Sequence, residues 1–129
     1  LWAIGVQRPA MADESAPLFA KVWLQNKSIA TSGNYRNYYL ENEKIIAHTI
    51  SPFTGYSISH NLLSASVFAD NCTLADGYAT ACMVLGLEKS KDMINRVEGL
   101  DAFLIYTDEK GAYRSWSSKG IVPFIKIID

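Results

Sequence analysis

The feature that most restricts this chain is a switch of period at its centre. Leu62 to Ala69, LLSASVFA, is a short apolar, β-prone run and reads as a buried strand. Asn71 to Gly86, NCTLADGYATACMVLG, follows at once and reads as one helix. Asp70 or Asn71 can cap its first turn, and Gly86 can end it in a left-handed conformation. Leu74, Tyr78, Ala81, Met83 and Leu85 supply apolar surface, and Ala75, Ala79 and Ala81 permit close packing.

Strands flank this pair on both sides. Trp2 to Gln7 reads as a strand ended by Arg8-Pro9, and Met11 to Pro17 as a loop. Phe19 to Gln25 alternates with period two, and Asn26-Lys27 suits a two-residue hairpin turn into a strand from Ser28 to Thr31. Ser32-Gly33-Asn34 breaks that run. A hairpin follows, Tyr35 to Leu40 with Lys44 to Ile50, joined by Glu41-Asn42-Glu43. Ser51-Pro52-Phe53-Thr54-Gly55 is turn chemistry, and Tyr56 to Asn61 is a polar loop. Beyond the central helix, Ser90 caps a second helix, Lys91 to Glu98, stopped by Gly99. Strands then run over Ala102 to Thr107, Ala112 to Trp116 and Phe124 to Ile128. Strands, two helices and strands again predict an α+β domain: a mostly antiparallel sheet with both helices on one face.

A chain of 129 residues, 49% hydrophobic and 19% charged, is one ordinary globular domain's worth. Its formal charge of -1 and lack of a long basic run argue against a nucleic-acid binder that neutralises phosphates. No apolar stretch approaches the length of a membrane span. The chain opens on Leu1 inside an apparent strand, so a piece of something longer is expected. Cys72 and Cys82 on one helix would be separated by about 15 Å, too far for a disulfide. Both are expected to be buried small hydrophobes.

Polar chemistry is sparse. No nucleophile elbow, zinc-protease motif, phosphate loop or paired CxxC is present. Asp76 and Thr80 lie one helical turn apart on one face. A carboxylate and a hydroxyl so placed can face one hard cation such as Mg²⁺. Two blander readings compete. An Asp in the first turn complements the helix dipole, and a helical Thr often bonds back to the carbonyl four residues earlier. His60 sits in a polar loop as a surface histidine. His48, beside the Pro-Gly turn, suits a phosphate contact or proton transfer, against a structural role in its strand. Tyr35, Tyr38 and Tyr39 suit stacking on a planar ligand, against plain strand-surface aromatics.

Three motifs, in order, carry a resemblance. Ser32-Gly33-Asn34-Tyr35-Arg36 resembles the SGDYR segment of the ApbE family, the FAD:protein FMN transferases. His48 to Gly55, HTISPFTG, resembles the family's HxIDPxTG turn, and Leu74 to Ala81, LADGYATA, its LADALATA helix. The resemblance covers essentially the whole chain, but only the C-terminal half of the family's catalytic domain. It implies Mg²⁺-dependent cleavage of the FAD pyrophosphate, transfer of FMN to a Thr or Ser hydroxyl of an acceptor protein, and release of AMP. FAD hydrolysis to FMN and AMP, or flavin binding without turnover, are its alternatives. Asp76 and Thr80 match the family's metal ligands, and His48 its histidine near the pyrophosphate. Ser32, Gly33 and Thr54 are assigned to contacts along the nucleotide. A bacterial cell-envelope or periplasmic setting, and a lipid anchor on the full-length protein, are expected on the same ground. A fragment lacking its other half is expected to be inactive and to self-associate through exposed apolar surface. Two positions depart from the pattern: Ser51 stands for the Asp before Pro, and Asn34 for the Asp of SGDYR.

Overall fold

The computed structural model describes residues 1–9, 17–33, 50–56 and 60–128, together with strand backbone at 38–41 and 44–47. Its centre is a four-stranded sheet of β3 (Ser28–Gly33), β6 (Leu62–Ala69), β7 (Asp101–Thr107) and β8 (Tyr113–Ser117), in that order. β1 (Trp2–Gln7), β2 (Leu18–Leu24) and β9 (Ile125–Ile127) form a second sheet, and β4 (Tyr38–Glu41) with β5 (Lys44–Ala47) a two-stranded ribbon. Every pairing described is antiparallel. Two helices, α1 (Cys72–Leu85) and α2 (Leu87–Arg96), pack on the four-stranded sheet.

Alternation along β6 and β7 builds two cores from one sheet. Ala65, Val67, Ala69, Ala102 and Leu104 face the helices, where they meet Ala75, Ala79, Cys82, Met83 and Ile94. Phe68, Phe103 and Ile105 face the other way, against Val6, Phe19, Ala20, Val22 and Leu24 of the second sheet. Phe19 and Phe103 stack there in a tilted pair, ring centroids 6.0 Å apart. The molecule is therefore three layers deep: helices, sheet, sheet.

The expected α+β class, the antiparallel pairing and the helices on one face of a sheet hold. Five local readings change. β2 and β3 do not form a hairpin: β2 pairs with β1 and β9, β3 with β6, and the Asn26-Lys27 turn (Asn26 φ 56°) passes the chain between sheets. Ser32 and Gly33 do not break β3 but finish it, opposite Ala65 and Ser64. The second helix starts at Leu87, directly after Gly86, and Ser90 is buried inside it rather than capping it. On α1, Leu74 is exposed, and Ala75, Ala79, Cys82 and Met83 make the buried stripe. Cys72 is exposed; only Cys82 is buried, and burial pushes its thiol pKa up. The 11–16 loop and Tyr35 lie outside the described residues.

Candidate functional site

The site is built on α1, and both ends of that helix are fastened. Asn71 is the N-cap: its side-chain oxygen accepts the Leu74 N–H at 2.9 Å. At the other end Gly86 takes φ 82°, ψ −179°, extended backbone with the positive φ that favours glycine, and returns its N–H to the Cys82 carbonyl at 2.9 Å. The Ser90 hydroxyl donates to that same carbonyl at 3.0 Å. His60 bridges the loop to the helix: Nδ1 accepts the Leu62 N–H at 3.2 Å, which leaves Nε2 to donate to the Met83 carbonyl at 2.6 Å. His60 is thus a helix-end staple, not a free surface histidine.

Between those ends the helix divides cleanly. Ala75 and Ala79 are fully buried against β3 and β6, and their small size lets the helix sit close. Asp76, Gly77 and Thr80 face solvent, and a Cβ added at Gly77 would meet no atom within 4 Å. Asp76 is not in the first turn, which holds no acidic residue, so the dipole does not explain it. Its carboxylate has no hydrogen bond or ion pair among the described residues. Nor does Thr80 bond back to the helix. Its hydroxyl meets the Ser32 hydroxyl of β3 at 3.4 Å, with no other side-chain partner among the described residues. Both blander readings of the pair therefore fail on geometry. What remains is an unpaired carboxylate and a sideways-turned hydroxyl, one helical turn apart on an open face. That donor set fits Mg²⁺, which keeps several waters and takes one or two protein oxygens together with substrate phosphates.

The chain's sequence settles its kinship. The ApbE family's profile matches residues 1–104. The chain belongs to the ApbE family. It is 38% identical over 124 residues to the FAD:protein FMN transferase of Salmonella typhimurium, a match covering 96% of this chain and 34% of that one. The corresponding figures for the FAD:protein FMN transferase of Escherichia coli K12 are 39%, 96% and 34%. Among solved structures, the flavin transferase ApbE from Vibrio cholerae superposes with a TM-score of 0.76 at 27% identity, covering 95% of this chain and 37% of that one. The flavinyl transferase ApbE of Pseudomonas stutzeri in its apo form gives 0.75 at 31% identity, covering 95% and 36%. The chain thus spans about a third of the length of the curated relatives it matches.

Within this ApbE-family chain the motif residues fall as follows. Ser32 and Thr80 meet. Gly33 ends β3 one residue further on, opposite Ser64, whose buried hydroxyl has no hydrogen-bond partner among the described residues. Thr54 is exposed in the turn and accepts the Tyr56 N–H at 3.2 Å. His48 lies outside the described residues. Ser51 explains one departure from the family pattern: its hydroxyl accepts the Phe53 N–H at 3.2 Å, while its carbonyl takes Gly55 N–H and its own N–H reaches the Tyr56 carbonyl, both at 2.9 Å. A serine keeps the turn that an Asp would cap. Two cavities, of about 400 Å³ beside Trp23 and Asp101 and about 390 Å³ beside Met93 and Arg96, lie away from these motifs and include neither Asp76 nor Thr80.

Proposed function

We propose that this chain is the metal-bearing part of a FAD:protein FMN transferase, cleaving the FAD pyrophosphate with Mg²⁺ and moving FMN to a Thr or Ser hydroxyl of an acceptor protein, with release of AMP. The observation that carries the proposal is the Asp76 carboxylate, without a hydrogen bond or ion pair among the described residues, one helical turn from the Thr80 hydroxyl, on the helix that matches the family's motif. When bound, Mg²⁺ neutralises phosphate oxygens and aligns the pyrophosphate for displacement. Asp76 and Thr80 hold it from one side of a fixed helix. His48, in the matched turn, orients or protonates a phosphate oxygen, and Ser51 holds the shape of that turn. Gly33 and Thr54 lie along the dinucleotide. An open face suits a site whose opposite wall belongs to the rest of a protein about three times this length. By family kinship the acceptor, and a lipid anchor, belong at the bacterial cell envelope; fractionating cells that express the full-length protein tests that placement.

The decisive experiment is Asp76→Ala in the full-length protein. FMN transfer to an acceptor should fall by about a hundredfold or more, since removing even a group that only supports a metal ligand costs 10–100-fold. The circular dichroism spectrum should be unchanged, because Asp76 is exposed and makes no hydrogen bond or ion pair among the described residues. Undiminished transfer at limiting Mg²⁺ would remove the metal role. Product analysis separates the chemistries: labelled acceptor means transfer, free FMN means FAD hydrolysis, and bound FAD without AMP means a carrier.

A further inference from the structure

We infer that Ser32 is a positioning residue for the metal site, acting through Thr80 rather than on the nucleotide; the inference rests on the metal reading of Asp76 and Thr80. Thr80 can offer a cation an oxygen lone pair only if its own proton is directed elsewhere. The usual place is the carbonyl one turn earlier, here that of Asp76, and such a bond folds the hydroxyl back along the helix. Thr80 does not make that bond. Its described partner is the Ser32 hydroxyl, 3.4 Å away across the helix–sheet boundary. Either hydroxyl of that pair can donate; in the inferred role Ser32 is the acceptor, which takes up the Thr80 proton and leaves a Thr80 lone pair for the cation.

The surroundings hold Ser32 in place for this role. It sits in a ladder, opposite Ala65, with Thr31 paired to Ser66 before it and Gly33 to Ser64 after it. The Thr31 and Ser66 hydroxyls also bond each other at 2.7 Å, locking the two strands side by side. Ala75 and Ala79, fully buried, with Ala30 of the same strand packed against their cluster, bring α1 close enough for two short side chains to meet. A group on a strand, set against a helix capped at both ends, orients its neighbour better than one on a loop.

The test uses the full-length protein with Ser32→Ala, Ser32→Thr, Thr80→Ala and Asp76→Ala. The probe is Mn²⁺ alone, followed by the loss of its free-ion paramagnetic signal, alongside the steady-state KM for Mg²⁺ and for FAD. Ser32→Ala should weaken Mn²⁺ binding by about tenfold and raise the KM for Mg²⁺, leaving the KM for FAD unchanged. Ser32→Thr, which keeps the hydroxyl, should restore both. Adding Ser32→Ala to Thr80→Ala should cost nothing further, because the two hydroxyls act as one unit. Ser32→Ala that raises the KM for FAD while Mn²⁺ affinity stays put would overturn the inference and return Ser32 to the nucleotide. Unchanged Mn²⁺ affinity in Asp76→Ala would instead bring down the metal reading itself, and this inference with it.

Discussion

Two carboxylates in this chain are treated in opposite ways. Asp108 collects donors: the backbone N–H groups of Lys110 and Ala112 at 2.9 and 3.0 Å, and the Arg114 guanidinium at 3.0 Å. The Ala112 N–H, then Arg114, holds its carboxyl below the ordinary value of 3.8. A carboxyl whose folded-state pKa is depressed adds stability above its unfolded value and loses it as pH falls through the folded one. Asp108→Asn should therefore be less stable than the parent at pH 6, with the gap closing below about pH 4, in urea unfolding followed across pH. Asp76 collects no donor among the described residues, which leaves its carboxylate open to a ligand where that of Asp108 is spent on a turn. That Asp76 and Thr80 share an exposed helix face was legible in the sequence, because helical spacing fixes which residues lie together. Ser51 as a turn cap was legible for a similar local reason. The partnership of Thr80 with Ser32 was not, since 48 residues separate them and only the docking of helix on strand brings them together.

At the level of elements, α1 and α2 share a single linking residue. Gly86 ends one helix at φ 82° and begins the other, and its carbonyl accepts the Ser90 N–H at 3.0 Å. Gly86→Ala forces a side chain into that backbone region, with the His60 ring 3.4 Å from the new Cβ. It should cost about 1–3 kcal/mol, read as a lowered urea midpoint with an unchanged slope. Ser90→Ala should cost about 1 kcal/mol, since the Cys82 carbonyl keeps the Gly86 N–H. The sequence placed α1 to within a residue at each end because Asn71 and Gly86 are strong local signals. It misplaced the start of α2 because a serine that bonds back to a carbonyl eight residues earlier looks, in sequence, like a cap.

For the molecule as a whole, the central sheet is the shared wall of two cores, and neighbouring residues of one strand belong to different ones. Phe103→Ala should cost about 3–5 kcal/mol by opening the sheet–sheet core beside Phe19, and Leu104→Ala about 2–5 kcal/mol by opening the helix side. Both losses should appear in one cooperative unfolding transition, measured by calorimetry. Period-two alternation revealed the strands themselves but not their sheets. Local pattern says that Phe19 to Leu24 has an inner face; it does not say that the partners are β1 and β9 rather than β3. The second sheet went unseen for that reason. The division of α1 into a packed stripe of Ala75, Ala79, Cys82 and Met83 and an open face of Asp76 and Thr80 has an evolutionary corollary. On the proposed function, selection can silence the chemistry without toppling the scaffold, so descendants that keep the shape and shed the reaction are reachable by single substitutions on the outward stripe.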